Sequence, residues 1–246
     1  MVMEYIKKLK EFTGVTEIQG EEEKIKHLKP QFKNLAEYFL TKGHLLINGK
    51  CGRKVYICDV EFYYHEEFEG GIKDWIMYHR NHHPKKKTKE LGYLEVGQLN
   101  SHESGIDITF ENKAKQYRAG MLIRGFKIVE ETNDTDLPMF DYHPKAKYDD
   151  RSTHFYDALI NSGNILNGFT IKWEEENREC KLEKEPIYRK NVAAYDIIEN
   201  EQSELLPVKI EFNKEEHTGK NDKKCESSKY KQCMRPWRYK LETVSV

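Results

Sequence analysis

Residues 54–63 read Lys-Val-Tyr-Ile-Cys-Asp-Val-Glu-Phe-Tyr, a run rich in β-branched and aromatic side chains. Its composition and period-two alternation predict a β-strand. The strand carries a carboxylate, Glu61, between two apolar residues. Since a buried carboxylate is costly without a partner, we expect the fold to be built around this strand, with Glu61 in a polar pocket. The alternation predicts two faces, one with Val55, Ile57 and Asp59, the other with Tyr56, Cys58 and Val60.

A hairpin is predicted to lead into this strand. Residues 45–47 are an apolar strand, and Asn48-Gly49 after them is a strong hairpin signal. An apolar pattern with helical spacing runs from residue 34 to residue 43 before that strand. Residues 1–33 are highly charged and contain Pro30, so they are predicted to form a short helix and a mobile arm. The main domain is accordingly expected to span residues 34–246.

The rest of the chain adds more strands than helices. A helix is expected to begin at Ser152 or Thr153 and to run through Leu159. Asn167-Gly168 predicts another hairpin. Further strands are predicted at 94–99, 106–110, 119–129, 169–173 and 236–239, and loops at 64–91, 131–151 and 213–231. This pattern predicts a single α+β domain with a mostly antiparallel, curved β-sheet and peripheral helices.

The charge of the whole chain does not indicate a strongly basic nucleic-acid-binding protein. The formal net charge is −1, although lysines cluster locally. One cluster comprises Lys85, Lys86, Lys87 and Lys89, and a second lies between residues 220 and 231. Such a run is either a solvated loop or a weak contact with a phosphate backbone.

The cysteines and the apolar runs bear on the cellular compartment. The five cysteines are scattered and none forms a Cys-x-x-Cys pair, which predicts reduced thiols in the cytoplasm. No N-terminal apolar run indicates a signal peptide, and no run of about 18 apolar residues indicates a membrane span. We therefore expect a cytoplasmic protein without membrane contact, and a monomer.

Two other ionisable residues interrupt apolar strands as Glu61 does. Asp107 lies within Gly-Ile-Asp-Ile-Thr-Phe at 105–110, and Arg124 lies within Met-Leu-Ile-Arg-Gly-Phe at 121–126. Three such groups could converge on one site, where Glu61 would act as a general base. They could equally form a buried ion-pair network that only fixes the fold. Composition and periodicity leave both interpretations open.

The sequence gives little support for a metal or a cofactor. The histidines His79, His82, His83 and His102 show no His-Glu-x-x-His motif. No phosphate-binding glycine loop, dinucleotide fingerprint or nucleophile elbow is present. We expect neither a metal nor a cofactor.

Several short segments occur in an order that resembles a known family. Asp59-Val60-Glu61-Phe62-Tyr63 is similar to a Val-Glu-x-Glu-Ala-Tyr strand, and Met121 to Gly125 is similar to Val-Leu-(Ile/Leu)-Arg-Ala. Gly92 to Ile108 resembles a Gly- and Tyr-rich hairpin, and Pro236 to Tyr239 resembles a closing Pro-(Trp/Leu)-Arg-Phe-Tyr strand. With the opening helix and strand at 35–47, these segments resemble the alkyladenine (3-methyladenine) DNA glycosylase family over roughly residues 34–240.

The resemblance implies base excision from DNA by nucleotide flipping. Glu61 would be the general base that activates the water attacking the sugar C1′. Arg124 would lie beside that water and help to hold the sugar-phosphate. Tyr63 would stack on the extruded base.

At other positions the sequence departs from the family. The base-discriminating Asn of the family falls at Asp107, and its second stacking Tyr at Gly97, which would open the pocket. Its duplex-inserting aromatic falls at Asn100. Its pocket His corresponds to His79, for which Tyr78 competes. Three hypotheses therefore stay open: a DNA glycosylase with altered base choice, an N-glycosidic hydrolase of nucleosides, nucleotides or RNA, and a non-catalytic nucleic-acid-binding protein on the same scaffold.

Overall fold

The structure is a computed structural model of the chain. It describes residues 3–48, 52–74, 77–81, 90–102, 104–130, 152–156, 170–187, 189 and 235–243. The predicted lysine cluster at 85–89, the helix end at Leu159, the Asn167-Gly168 hairpin and the loops at 131–151 and 213–231 lie outside these residues.

The described residues form two main helices and eight strands, so the predicted α+β class is confirmed. The antiparallel sheet curls into a half-barrel, as expected for a single domain of this class. The helices are α1 (Glu4–Lys10) and α2 (Glu21–Thr41). The strands are β1 (Gly43–Asn48), β2 (Arg53–Glu66), β3 (Leu99–His102), β4 (Gly105–Thr109), β5 (Tyr117–Glu130), β6 (Thr170–Glu175), β7 (Lys181–Leu182) and β8 (Arg238–Thr243).

Strand β2 lies at the centre of the sheet. The strand order is β3-β4-β5-β2-β1-β6, and β8 pairs with both β2 and β7. The predicted hairpin between β1 and β2 is present, with Leu45 opposite Val55 and Ile47 opposite Arg53. Along its other edge β2 pairs with β5 over nearly its whole length. The predicted strand at residues 94–99 begins only at Leu99, because Gly97 takes a left-handed turn conformation with φ of 85°.

Helix α2 begins earlier than predicted. It starts at Glu21 and continues through Pro30, so the expected boundary at residue 33 falls inside one helix. Pro30 is tolerated on the exposed side of α2, while Leu28 and Phe32 extend the buried stripe toward the N-terminus. Residues before α2 also pack on the core, since Phe12 is buried. The N-terminal segment is therefore part of the domain's core.

An irregularity in β2 reverses the predicted faces. The register with β5 shifts on both sides of Asp59, which is the pattern of a β-bulge. Ile57 and Val60 both lie in the hydrophobic core, although strict alternation predicted them on opposite faces. The prediction is wrong beyond Cys58. This residue has no paired residue in β5, so the alternation of faces shifts by one residue after it. The bulge aims Glu61 away from the apolar core.

The core lies between α2 and one face of the sheet. Phe32 of α2 stacks on Phe62 of β2 with ring centroids 4.6 Å apart, and Phe62 meets Tyr239 of β8 edge-on. Phe39 packs against Trp173 of β6 in the same way.

Within the described ranges, neither helix is long and apolar enough to cross a membrane.

Candidate functional site

A row of ionisable residues crosses the sheet face that points away from α2. Glu61 of β2 is paired with Leu122 of β5, which is paired in turn with Asp107 of β4. On the other side, Glu61 is paired with Arg238 of β8. Because paired residues of antiparallel strands project to the same side, these side chains share one face. We call this surface the polar face; it also carries Asp59, Tyr63 and Arg124.

The structure places Arg124 beside Glu61. Glu61 is fully buried, and its Oε1 lies 3.6 Å from Nε of Arg124 and 3.8 Å from Nε of Arg238. Both distances exceed a hydrogen bond, so the guanidinium groups act on Glu61 through charge. Nε of Arg124 has no hydrogen-bond acceptor among the described residues. The terminal Nη1 of Arg124 donates to Ser152 Oγ at 3.4 Å.

Arg238 links the two carboxylates of β2. Its Nε donates to Asp59 Oδ1 at 2.9 Å, and its Nη2 also bonds Asp59. Asp59 is fully buried and Arg238 nearly so. Arg238 therefore neutralises Asp59 directly and contributes positive charge near Glu61.

Tyr63 is placed by the strand to meet the carboxylate two residues before it. Its hydroxyl donates to Glu61 Oε2 at 3.0 Å. Burial, and then the charge of Glu61, raise the pKa of Tyr63 well above its ordinary value, which keeps the hydroxyl a donor. The guanidinium of Arg189 lies 5.0 Å from the ring centre and covers one ring face. A stacking role for Tyr63 would have to use the other face.

Asp107 is held by a histidine that the sequence analysis did not place in the site. Oδ2 of Asp107 lies 3.0 Å from Nε2 of His102, across the β3–β4 hairpin. The ring of Tyr78 stacks on His102 with centroids 4.4 Å apart. Asp107 is only 5% exposed, and its Oδ1 has no hydrogen-bond partner within the described part of the chain.

His79 belongs to a different cluster. Its Nδ1 lies 2.5 Å from Oε1 of Glu111, and Arg118 approaches both groups. Tyr78, the competitor for this role, is the residue that lies beside Asp107 through its stack on His102. Tyr78 and His79 are neighbours in the chain, yet their side chains enter different clusters: Tyr78 stacks on His102, and His79 lies beside Glu111.

The cluster around Arg118 is closed and fully paired. Arg118 donates to Glu67, to Glu111 and to the carbonyl oxygen of Leu91. Burial alone would raise the pKa of Glu67, but hydrogen bonds from His65, the Asn81 N–H and Arg118 outweigh it and lower this pKa to about 2. This arrangement is typical of a structural ion-pair network.

Asn100 and Gly97 lie on opposite sides of the sheet. Asn100 of β3 is paired with Asp107 and so shares the polar face at its edge. Gly97 instead faces α1, where an added Cβ would lie 2.2 Å from Ile6 Cδ1 and 3.0 Å from Tyr5. The expectation that Gly97 opens the pocket is therefore not supported by its position.

Neither a metal-binding group among the described residues nor a known relative of the chain was found. No group of three His, Cys, Asp or Glu side chains in the described ranges is arranged to hold a metal ion. Comparisons with family models, with curated proteins and with solved structures found no match. Lys85, Lys86, Lys87 and Lys89 lie outside the described residues.

Arg238 and His102 are the main site residues that sequence reasoning missed. Arg238 stands between Trp237 and Tyr239, both buried, so it shows the same interrupted apolar pattern that singled out Arg124. The sequence around His102 gave no such signal, because the contact between His102 and Asp107 exists only once the β3–β4 hairpin has formed. The sequence analysis named His102 only among the histidines and included Arg238 only within the closing segment Pro236 to Tyr239.

Proposed function

We propose that the chain hydrolyses an N-glycosidic bond between a modified or damaged base and its sugar in DNA, with Glu61 as the general base. The observation that carries the proposal is the shared face of Glu61, Arg124 and Asp107, with Arg124 Nε 3.6 Å from Glu61. The segment order that resembles the alkyladenine DNA glycosylases supports the same chemistry.

The residues supply the parts that such a reaction needs. A carboxylate takes the proton of the attacking water, and the C1′–N bond breaks with its electron pair going to the base. A guanidinium beside the carboxylate can bind a phosphate. Asp107 lies two strand spacings away, about 10 Å, which is the scale of a flipped nucleotide.

The choice of DNA over other substrates rests on the resemblance. A nucleoside, nucleotide or RNA would need the same general base, and the net charge of −1 does not favour a long polyanion. These substrates are therefore included as arms of the test. The cytoplasmic location and the monomeric state stay predictions.

A non-catalytic role has one specific observation in its favour. Glu61 is fully buried and already accepts a hydrogen bond from Tyr63, as a structural ion-pair member would. In that case the polar face would fix the fold and a nucleic acid would bind elsewhere. Activity of the Glu61 variant separates the two functions.

The test is base release from a panel of substrates. Duplex oligonucleotides with different modified bases, matching RNA strands and free nucleosides are incubated with the protein, and abasic sites or released bases are measured. Glu61→Gln should lower the rate by more than about a hundredfold, because the general base is lost. Binding to duplex DNA at two salt concentrations checks for phosphate contacts.

Glu66→Gln is the matched control. Glu66 is in the same strand, equally buried and paired with Lys24 at 2.5 Å in a separate cluster. Its variant should lose stability comparably and keep the activity. Release at the wild-type rate by a folded Glu61→Gln, or no release in any arm, overturns the proposal.

A further inference from the structure

The outer side of β6 is an open edge of the described sheet. Strand β6 stands at one end of the strand order and pairs with β1 without a register shift. Directly after β6, the N–H of Glu176 donates to the carbonyl oxygen of Lys42, the residue before β1, at 3.1 Å. Since backbone groups alternate in direction along an antiparallel strand, the N–H and C=O groups of Ile171 and Trp173 face away from β1. Within the described chain, no hydrogen bond reaches these groups.

A small apolar cavity lies beside this edge. It has a volume of about 90 Å³ and lies between the two ends of the curled sheet, beneath α1. Its lining includes Ile171 and Trp173 of β6, Leu99 of β3, Ile108 of β4, Tyr5 of α1 and Phe39 of α2. An unpaired strand edge is a template for another strand, and here an apolar cavity adjoins it.

The size of the cavity limits what can enter it. Protein interiors leave few voids larger than a water molecule, and this volume corresponds to about three groups of that size at ~30 Å³ each. One branched aliphatic side chain, that of Val, Leu or Ile, matches this volume, whereas an indole is much larger. A second copy of β6 paired with this edge about Trp173 would bring an indole to the cavity. The cavity therefore fits an aliphatic side chain from a different chain.

The outward face of β6 carries one charge of each sign beside the cavity. Lys172 and Glu174 flank Trp173 in the strand, and both are exposed. Opposite charges on directly opposed residues stabilise a pair of antiparallel strands, and like charges destabilise it. An added strand is therefore favoured when it places an acidic residue opposite Lys172 and a basic residue opposite Glu174.

We propose that the edge of β6 binds an extended peptide segment of a partner protein, which adds a strand to the sheet and inserts one branched aliphatic side chain into the cavity. Backbone hydrogen bonds to Trp173 and Ile171 supply affinity, and the cavity and the two charges supply specificity. For a segment antiparallel to β6, the preferred sequence is Lys, then Val, Leu or Ile, then Glu. The site lies apart from the polar face, so the inference is independent of the proposed function.

The first experiment varies the peptide. Fluorescence polarisation with the full chain compares labelled heptapeptides Thr-Thr-Lys-X-Glu-Thr-Thr, in which X is Val, Leu, Ile, Gly or Trp. At least one of the three aliphatic peptides should bind at least about tenfold more tightly than the Gly and Trp peptides, because only it fills the cavity with apolar groups. Equal affinity for the Gly peptide, or no binding of any aliphatic peptide at millimolar concentration, overturns the proposal.

The second experiment tests strand addition in the wild-type protein. The N–H of X would face β6, and that of the following Glu would face away. N-methylation of X should weaken binding at least about tenfold, while N-methylation of the Glu should leave it nearly unchanged. Bound peptide should also slow hydrogen exchange at the amides of Ile171 and Trp173. Equal losses for the two methylated peptides, or unchanged exchange at both amides, contradict strand addition.

Two variants test the cavity and the charges. Leu99→Phe fills the cavity and should weaken the tightest-binding peptide at least about tenfold. Ile128→Phe is the control, because Ile128 of β5 is partly buried but does not line the cavity. The double change Lys172→Glu and Glu174→Lys should shift the preference to the peptide with Glu and Lys exchanged. Unchanged binding in a folded Leu99→Phe variant would exclude the cavity as the binding site.

Sedimentation equilibrium of the chain alone separates a peptide partner from a second copy. A monomer that binds the aliphatic peptide supports the proposal. A dimer that Leu99→Phe disrupts, and that binds no peptide, would assign the edge of β6 to a second copy and overturn it.

Discussion

The two faces of strand β2 are both buried, yet they are stabilised in different ways. Phe62 and Tyr64 pack among aromatic rings beneath α2 and in the N-terminal segment. Asp59 and Glu61, their neighbours in the same strand, are equally buried but lie among guanidinium groups. Burial alone therefore does not distinguish a core from a site; the chemistry of the covering groups does.

The comparison suggests what each face contributes. Apolar burial stabilises in proportion to area and tolerates changes that conserve volume. Buried ion pairs add little net stability, because desolvation offsets their attraction, but removing one partner is severe. We infer that the apolar face stabilises the domain and that the polar face specifies an arrangement of charges.

The largest expected effect comes from opening the apolar face. Phe62→Ala removes a fully buried ring that contacts Phe32, Phe110 and Tyr239, and should lower the free energy of unfolding by about 4 kcal/mol. Phe62→Leu, which conserves more volume, should cost less than about 1.5 kcal/mol. Urea unfolding followed by circular dichroism measures both. Similar losses for the two variants would mean that ring packing does not govern this face.

A smaller effect is expected from breaking a buried ion pair beside the polar face, where Arg189 lies over the ring of Tyr63. Arg189 bonds both oxygens of Asp74, with neither residue exposed. Asp74→Asn leaves a buried guanidinium without its counter-charge and should cost about 3 kcal/mol. Adding Arg189→Met to Asp74→Asn should recover part of this loss.

A double-mutant cycle from urea unfolding measures this coupling. Full additivity of the two changes would show that the pair does not behave as a buried charge pair.

The smallest effect is a change in the dependence of stability on pH. The pKa of Glu67 is lowered from 4.5 to about 2, so its contribution to stability is complete above pH 4.5 and is lost as the pH falls toward 2. In wild-type protein the urea midpoint should fall as the pH is lowered from 4.5 toward 2. Glu67→Gln should make this fall smaller. Exposed Glu95→Gln is the control and should leave the decline unchanged. An unaltered decline in Glu67→Gln would assign the acid sensitivity to other groups.

Local patterns predicted much of the fold but less of the site. The β1–β2 hairpin and the strand around Arg124 followed from turn residues and from alternation, which are properties of short segments. The bulge at Cys58 and the path of α2 through Pro30 did not, because tertiary packing decides both. His102, Arg238 and the choice between Tyr78 and His79 depend on contacts between distant segments, which one sequence does not reveal.

Arg238 imposes an order of events on the folding chain. The guanidinium that neutralises Asp59 follows it by 179 residues. During synthesis, Asp59 therefore cannot bond Arg238 until β8 has been made and can add to the sheet. We therefore expect the pairing of β8 with β2 on the polar face to be a late step, because it joins distant parts of the chain, whereas α2 and the β1–β2 hairpin can assemble from their near neighbours.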